Sequence, residues 1–384
     1  MKKRLLILAT LLMVTVGFAG TKEDFEKAYE NYDKTKNVEQ LEKDLLKISV
    51  LKTDQYTISS KFELAKIKII QNKNEEARKY LNEILADKVV SNEGIKMAKT
   101  MLYSIEENYD KKIKILSEMI AMDEKDLGLQ IEMLKQVALK KDNTKFDKLY
   151  KEYVKKIAAN DKVKISFDIN LIETLLGTKD FANGEKIIKP YLNSKDNDLK
   201  ALANHFMAIS KYEQKDLKNA IKYSDLASKI SKEIDSDIEN LNYLLAFENK
   251  EYDKALNKLV VLKNLTKDKT VFFELITLAE SLGKNELAEN TIKEFRTLLD
   301  EKQNKALNTT LSKLFLADKN LDVTEKYAKK AIEESKDDEG YLILAVVYAN
   351  LNRKEEALKN VRVAISKNVE GAKDVEKQIL DNLK

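Results

Sequence analysis

GYLILAVVYANLNRKEEALKNVRVAISK, from Gly340 to Lys367, is the stretch whose reading decides the fold. Its first part places Tyr341, Leu344, Ala345 and Tyr348 at helical spacing on one face. Asn352 and Arg353 fall at a turn. Its second part places Ala357, Leu358, Val361, Ala364 and Ile365 on one face again. Two helices joined by so short a turn can approach closely only where side chains are small, which explains the recurring Ala. Laid back along the chain, the stretch gives a ladder of marks near the start of each second helix. The marks are Leu41, Ala77, Lys112, Leu149, Gly184, Ala220, Ala255, Ala288, Thr324 and Ala357. Their spacing, 33 to 37 residues, is that of a helical repeat array, in which each unit packs on its neighbours.

Other copies keep the same marks with losses. Leu311, Ser312 and Phe315 precede Thr324, Ala328 and Ala331. Met207 and Ala208 precede Ala220 and Ala227, and Leu64 and Ala65 precede Ala77, Leu81 and Ile84. Phe272, Leu275 and Gly283 precede Ala288, while Tyr252, Tyr109 and Phe181 sit as turn aromatics. Around Lys112 and Leu149 the marks are large or charged, so irregular packing is expected there. Pro190, the only proline, falls late in a second helix and should bend or end it.

On these residues the chain resembles the tetratricopeptide repeat family. That family's first helix carries an aromatic, a Leu, a small residue and an aromatic, and its second carries Ala twice, seven apart. The resemblance implies an all-α, right-handed superhelical solenoid of about ten antiparallel helix pairs. It also implies a concave groove, lined by first helices, that takes peptide or protein partners. The array is read over 20–371, with a C-terminal capping helix over 372–384 that carries Val375, Ile379 and Leu380. A cap is needed because a solenoid otherwise exposes an apolar end.

Composition agrees. One Pro and nine Gly in 384 residues leave little to break helices, and no alternating run signals a strand. Lys and Glu interleave, as on solvated amphipathic helices. There is no Cys, which removes disulfides and Cys-based zinc sites.

The N-terminus reads as a signal peptide over 1–19. Lys2, Lys3 and Arg4 precede the apolar run Leu5 to Val16, and Gly17-Phe18-Ala19 offers small residues for cleavage after Ala19. The run is short for a membrane span, which needs about 20 apolar residues. The expected location is the periplasm or the exterior, with no membrane span after cleavage. Loss of those three cations takes the formal charge from +4 to +1. A near-neutral chain argues against a nucleic-acid partner.

Catalytic chemistry is hard to assemble from this chain. It has one His, His205, and neither a GxGxxG nor a P-loop pattern. No catalytic, metal or cofactor residue is assigned, no cofactor is expected, and the reading is of a protein that is not an enzyme. His205 reads as a solvated surface residue, and the tyrosines as packing residues. Consecutive repeats lack the Lys and Asn arrangement by which some family members clamp a C-terminal carboxylate.

One surface feature stands out. YLILAVVYA, from Tyr341 to Ala349, is apolar on every side, more than its packing faces use. Leu342 and Val346, with Phe273 and Leu316 on the preceding first helices, form a candidate partner-binding strip. Coverage by the terminal helix or the preceding unit is the competing explanation. The expected role is an envelope scaffold for protein or peptide partners. The alternative is a subunit of an export machine that binds or organises polysaccharide or cell-wall material.

Overall fold

Left-handed lysines punctuate this chain. In nine of the ten helix pairs, the residue just before the second helix's N-cap has φ between 53° and 68°. Those residues are Lys36, Asn72, Lys141, Lys179, Lys215, Lys250, Gly283, Lys319 and Asn352. Asn and Gly are ordinary in this conformation, whereas Lys is not. In eight of these turns the following N-cap amide donates to a carbonyl five residues back, as Asp216 N does to Lys211 O at 2.9 Å. The end of one helix is thus satisfied by the start of the next.

The computed structural model describes residues 19–51, 54–231, 233 and 235–381. Among these, all regular structure is helical. The chain divides into two compact units, Met1–Ile187 and Ile188–Lys384. The first unit holds the pairs α1 (Ala19–Thr35) with α2 (Val38–Ser49), and α3 (Gln55–Ile70) with α4 (Asn74–Ala86). It continues with α5 (Asn92–Ile105) and α6 (Tyr109–Met122), then α7 (Leu127–Leu139) and α8 (Asn143–Ile157). It closes with α9 (Asp161–Gly177) and α10 (Phe181–Ile188).

The second unit opens with a 3-10 helix, Lys189–Asn193, that contains Pro190. Proline ends α10 because it lacks the amide an α-helix needs and crowds the preceding turn. The pairs are α11 (Asn197–Glu213) with α12 (Leu217–Ile230), and α13 (Ser236–Glu248) with α14 (Tyr252–Thr266). Then come α15 (Lys269–Ser281) with α16 (Asn285–Arg296), α17 (Glu301–Ala317) with α18 (Leu321–Glu333), and α19 (Glu339–Asn350) with α20 (Lys354–Ser366). Last is α21 (Ala372–Asp381). The proposed leader lies outside the described residues, except for Ala19, and so do residues 382–384 of the expected cap.

Asp and Asn dominate the helix starts. Asn37, Asp54, Asn108, Asp142, Asp216 and Asn320 each cap the next helix by accepting backbone amides. Each such cap stabilises its helix by about 1 kcal/mol.

Four residues after each second-helix cap lies the crossing point. Ala77, Ala220, Ala255, Ala288, Thr324 and Ala357 are all fully buried there. Gly184 serves in the same role, since a Cβ on it would sit 3.1 Å from the Leu176 side chain. Gly340 marks another close approach, with the Ala328 carbonyl oxygen 2.7 Å from where a Cβ would stand. These small residues at the marked positions let the paired helices approach closely.

Two marks need correction. In α8 the position four after the cap is Phe146, buried at 1% exposure, while Leu149 is only half-buried. A large aromatic holds the site that a small residue holds elsewhere, so a search for small residues overshot by one turn. In α6, Lys112 does occupy the marked position but stays half-buried, its Nζ 5.3 Å from the Tyr103 ring. Ile113 takes the buried place beside it.

The turn before α6 is also the one of the ten pair turns without a left-handed residue. There the Glu106 carboxylate accepts the amides of Glu107 and Asn108, both at 3.0 Å. Arg78 on α4 holds the other Glu106 oxygen at 2.8 Å and the Ile105 carbonyl at 2.9 Å. Burial raises the Glu106 pKa, but these amides and the guanidinium outweigh it and hold the group below its ordinary value.

Candidate functional site: the first-helix face

First helices within a unit touch one another: α1 with α3, α7 with α9, α11 with α13, and α17 with α19. Successive second helices make no comparable contact. At these four steps first helices therefore lie closer together than second helices do. Counting back from the second helix's cap gives a common register. In the second unit, positions eleven, seven and four before the cap share one helical face.

At minus eleven stand His205, Asn240, Phe273, Thr309 and Leu342. At minus seven stand Ile209, Leu244, Thr277, Lys313 and Val346, and at minus four Tyr212, Phe247, Glu280, Leu316 and Ala349. The four residues singled out from the sequence thus fall on equivalent faces of α15, α17 and α19. Each is half-buried. They do not share one cluster. Leu316 and Leu342 pack against the C-terminal core that also holds Ala372 and Ile379 of α21. Phe273 packs in the neighbouring cluster, edge-on to Phe295 with ring centroids 5.1 Å apart. Val346 lies one turn after Leu342.

The same register adds two residues that the sequence reading missed. Leu244 and Phe247 on α13 are 36% and 43% exposed, and Phe247 meets the Tyr252 ring edge-on at 5.6 Å. The signal that finds them is the Lys250-Glu251 turn, which sets the cap and hence the register. Beside them Glu274 lies half-buried on α15, and burial pushes its carboxyl above the ordinary range. Tyr243, also half-buried, is pushed up to about 12 by burial and by the Glu274 charge.

The face is broken by polar groups. Lys313 is exposed and pairs with Glu339 at 2.7 Å. Thr309 is buried and donates to Asp337 at 2.5 Å, and Glu280 is buried beneath Lys326 and Tyr327. The surface is therefore apolar in patches, with the exposed Lys313 charge between them.

His205 overturns its expected exposure. It lies on α11, is 8% exposed, and its Nδ1 has no hydrogen-bond partner. Burial lowers its pKa, opposed by the charges of Asp235 and Asp237. It reads as exposed in sequence because it is polar on a charged helix, yet residues 201–210 of α11 are buried or half-buried all round. No group of three or more His, Cys, Asp or Glu among the described residues is placed to hold a metal ion. No helix among them is long and apolar enough to cross a membrane.

No protein-family model matches the chain, and no curated protein does. Solved structures similar to it include a chain of the Naa15/Naa10 complex bound to HypK-THB, at 14% identity and a TM-score of 0.37, covering 94% of this chain. This chain spans 61% of that one. The apo form of RapI is similar at 14% identity and a TM-score of 0.35, covering 82% of this chain and 96% of that chain. A tetratricopeptide repeat protein from Parabacteroides merdae is similar at 12% identity and a TM-score of 0.37, over 68% of this chain and all of that one.

Proposed function

We propose that this protein is a non-enzymatic scaffold that binds protein or peptide partners along its first-helix face. The observation that carries the reading is the register of that face in the second unit. Leu244, Phe247, Phe273, Leu316, Leu342 and Val346 stand at equivalent positions on four first helices, each at least partly open to solvent. Partly exposed apolar side chains repeated in register suit a helix or extended segment that buries alternate contacts. The N-terminal pattern supports export, so the partners are sought in the cell envelope.

The test is crosslinking in intact cells from residue positions on this face, with identification of the attached protein. Leu342→Ser should then weaken the recovered complex while the chain stays folded. A loss of several kcal/mol of stability without any specific partner would instead mark Leu342 as core.

A further inference from the structure

The outer face of α8 carries a basic stripe interrupted by one exposed carboxylate, Glu152. Lys145, Lys148, Lys151 and Lys155 are exposed, and Lys141 in the preceding turn is exposed beside them. At 100° per residue the four on α8 fall within one third of the helix circumference, and Lys141 lies in the turn just before it. That third lies opposite Phe146 and Tyr153, which are buried at 1% and 4% exposure. The stripe therefore points straight away from the core, and Lys145 to Lys155 runs about 15 Å along the axis.

The nearby carboxylates are already engaged. Asp147 pairs with Lys186, and Glu152 lies 3.8 Å from Lys156, which also reaches Glu124 at 3.3 Å. Asp142 turns back to cap the helix, accepting the Lys145 amide at 3.0 Å. Asp110 on α6 takes Lys140 at 2.5 Å, which ties the start of α6 to the turn before α8. Lys111 and Lys114 on α6 are exposed as well. None of the five stripe lysines has a carboxylate partner among the described residues.

We infer that the outer face of α8 docks the first unit on an anionic lipid bilayer surface. Charge complementarity calls for an anion. Geometry selects the bilayer: α8 is a second helix, on the outside of the stack, where a flat surface can approach and a groove ligand finds no walls. No large apolar side chain stands among the lysines, so the contact is electrostatic, reversible and sensitive to salt. The reading is independent of the first-helix face, whose residues belong to the second unit.

The test is sedimentation of the full chain with vesicles of phosphatidylcholine, and with phosphatidylglycerol replacing about a third of it. The comparison is with the variant Lys145→Gln, Lys148→Gln, Lys151→Gln, Lys155→Gln, prepared identically so that any leader is common to both. The readout is the gain in binding on going from neutral to anionic vesicles. The expected gain is roughly tenfold or more for the natural chain at low salt, falling below about twofold in the variant or at high salt. Circular dichroism should show the variant folded, since all four sites are exposed. Equal gains for both chains, or no gain for either, overturn the proposal. So does a larger lysine-dependent response to soluble polyglutamate than to vesicles, which would assign the stripe to an acidic protein.

Discussion

Tyr327 on α18 donates its hydroxyl to Glu280 on α15 at 2.5 Å, and the bond is buried. It joins one helix pair to the next in the array. Burial and the Glu280 carboxylate both push the Tyr327 hydroxyl far above its ordinary pKa. Lys326 completes the site at 2.7 Å from the same oxygen. Tyr327→Phe leaves that carboxylate short of a donor in a place water does not reach. The expected loss is about 1–3 kcal/mol in a urea unfolding midpoint. An unchanged midpoint would show that Lys326 alone satisfies Glu280.

Ala357 and Ala255 are fully buried at helix crossings. Ala357→Leu should overpack its crossing and cost about 1–3 kcal/mol. Hydrogen exchange should quicken in α19, α20 and α21 before it does in distant pairs, because each unit is held by its neighbours. Unchanged thermal stability would mean the crossing has room that the geometry denies.

Lys215 holds φ at 65° and Lys250 at 62°, a conformation that costs an L-residue about 1 kcal/mol and glycine almost nothing. Lys215→Gly and Lys250→Gly should each stabilise the chain by about 0.5 kcal/mol, after glycine's greater freedom when unfolded is subtracted. Lys215→Val should destabilise it, because a β-branched side chain is poorly tolerated there. Melting temperatures of the three variants decide the matter by their order alone.

His205 gives the array a pH response that can be isolated, because it is the only histidine. Its pKa in the fold lies below the ordinary imidazole value of about 6.5, chiefly through burial. The unfolded chain therefore binds this proton more readily, and stability falls as pH drops through 6.5 toward the folded value. His205→Leu should flatten that part of the stability curve relative to the natural chain. Parallel curves for the two proteins would remove His205 as the source.

Much of the fold is legible from alanines, because a close crossing admits few residue types. Ala77, Ala220, Ala255, Ala288 and Ala357 each stand where the spacing puts them. The ladder slips at Leu149, where Phe146 takes the position and the pair accommodates a ring instead of a methyl group. A better guide was present in the turns. Lys-Asp, Lys-Glu and Lys-Asn dipeptides recur ahead of second helices, but lysine is not a residue one suspects of a left-handed conformation. The candidate site is less legible. Helical spacing puts Leu342 and Val346 on one face, but it does not say that Leu316 and Leu342 join the core under α21 while Phe273 joins another cluster. Leu244 and Phe247 are found only once a cap fixes the register. Side-chain packing between repeats, on which these distinctions rest, is a property of neighbours far apart in sequence.

The turn before α6 stands apart in what holds it closed. Eight of the other pair turns close with backbone groups of their own two helices, so those closures need only local chain. Here closure depends on Glu106, and Glu106 is held by Arg78 from the pair before. The second pair therefore lends stability to the turn of the third, so losing the Arg78 guanidinium should loosen the start of α6 as well as its own helix.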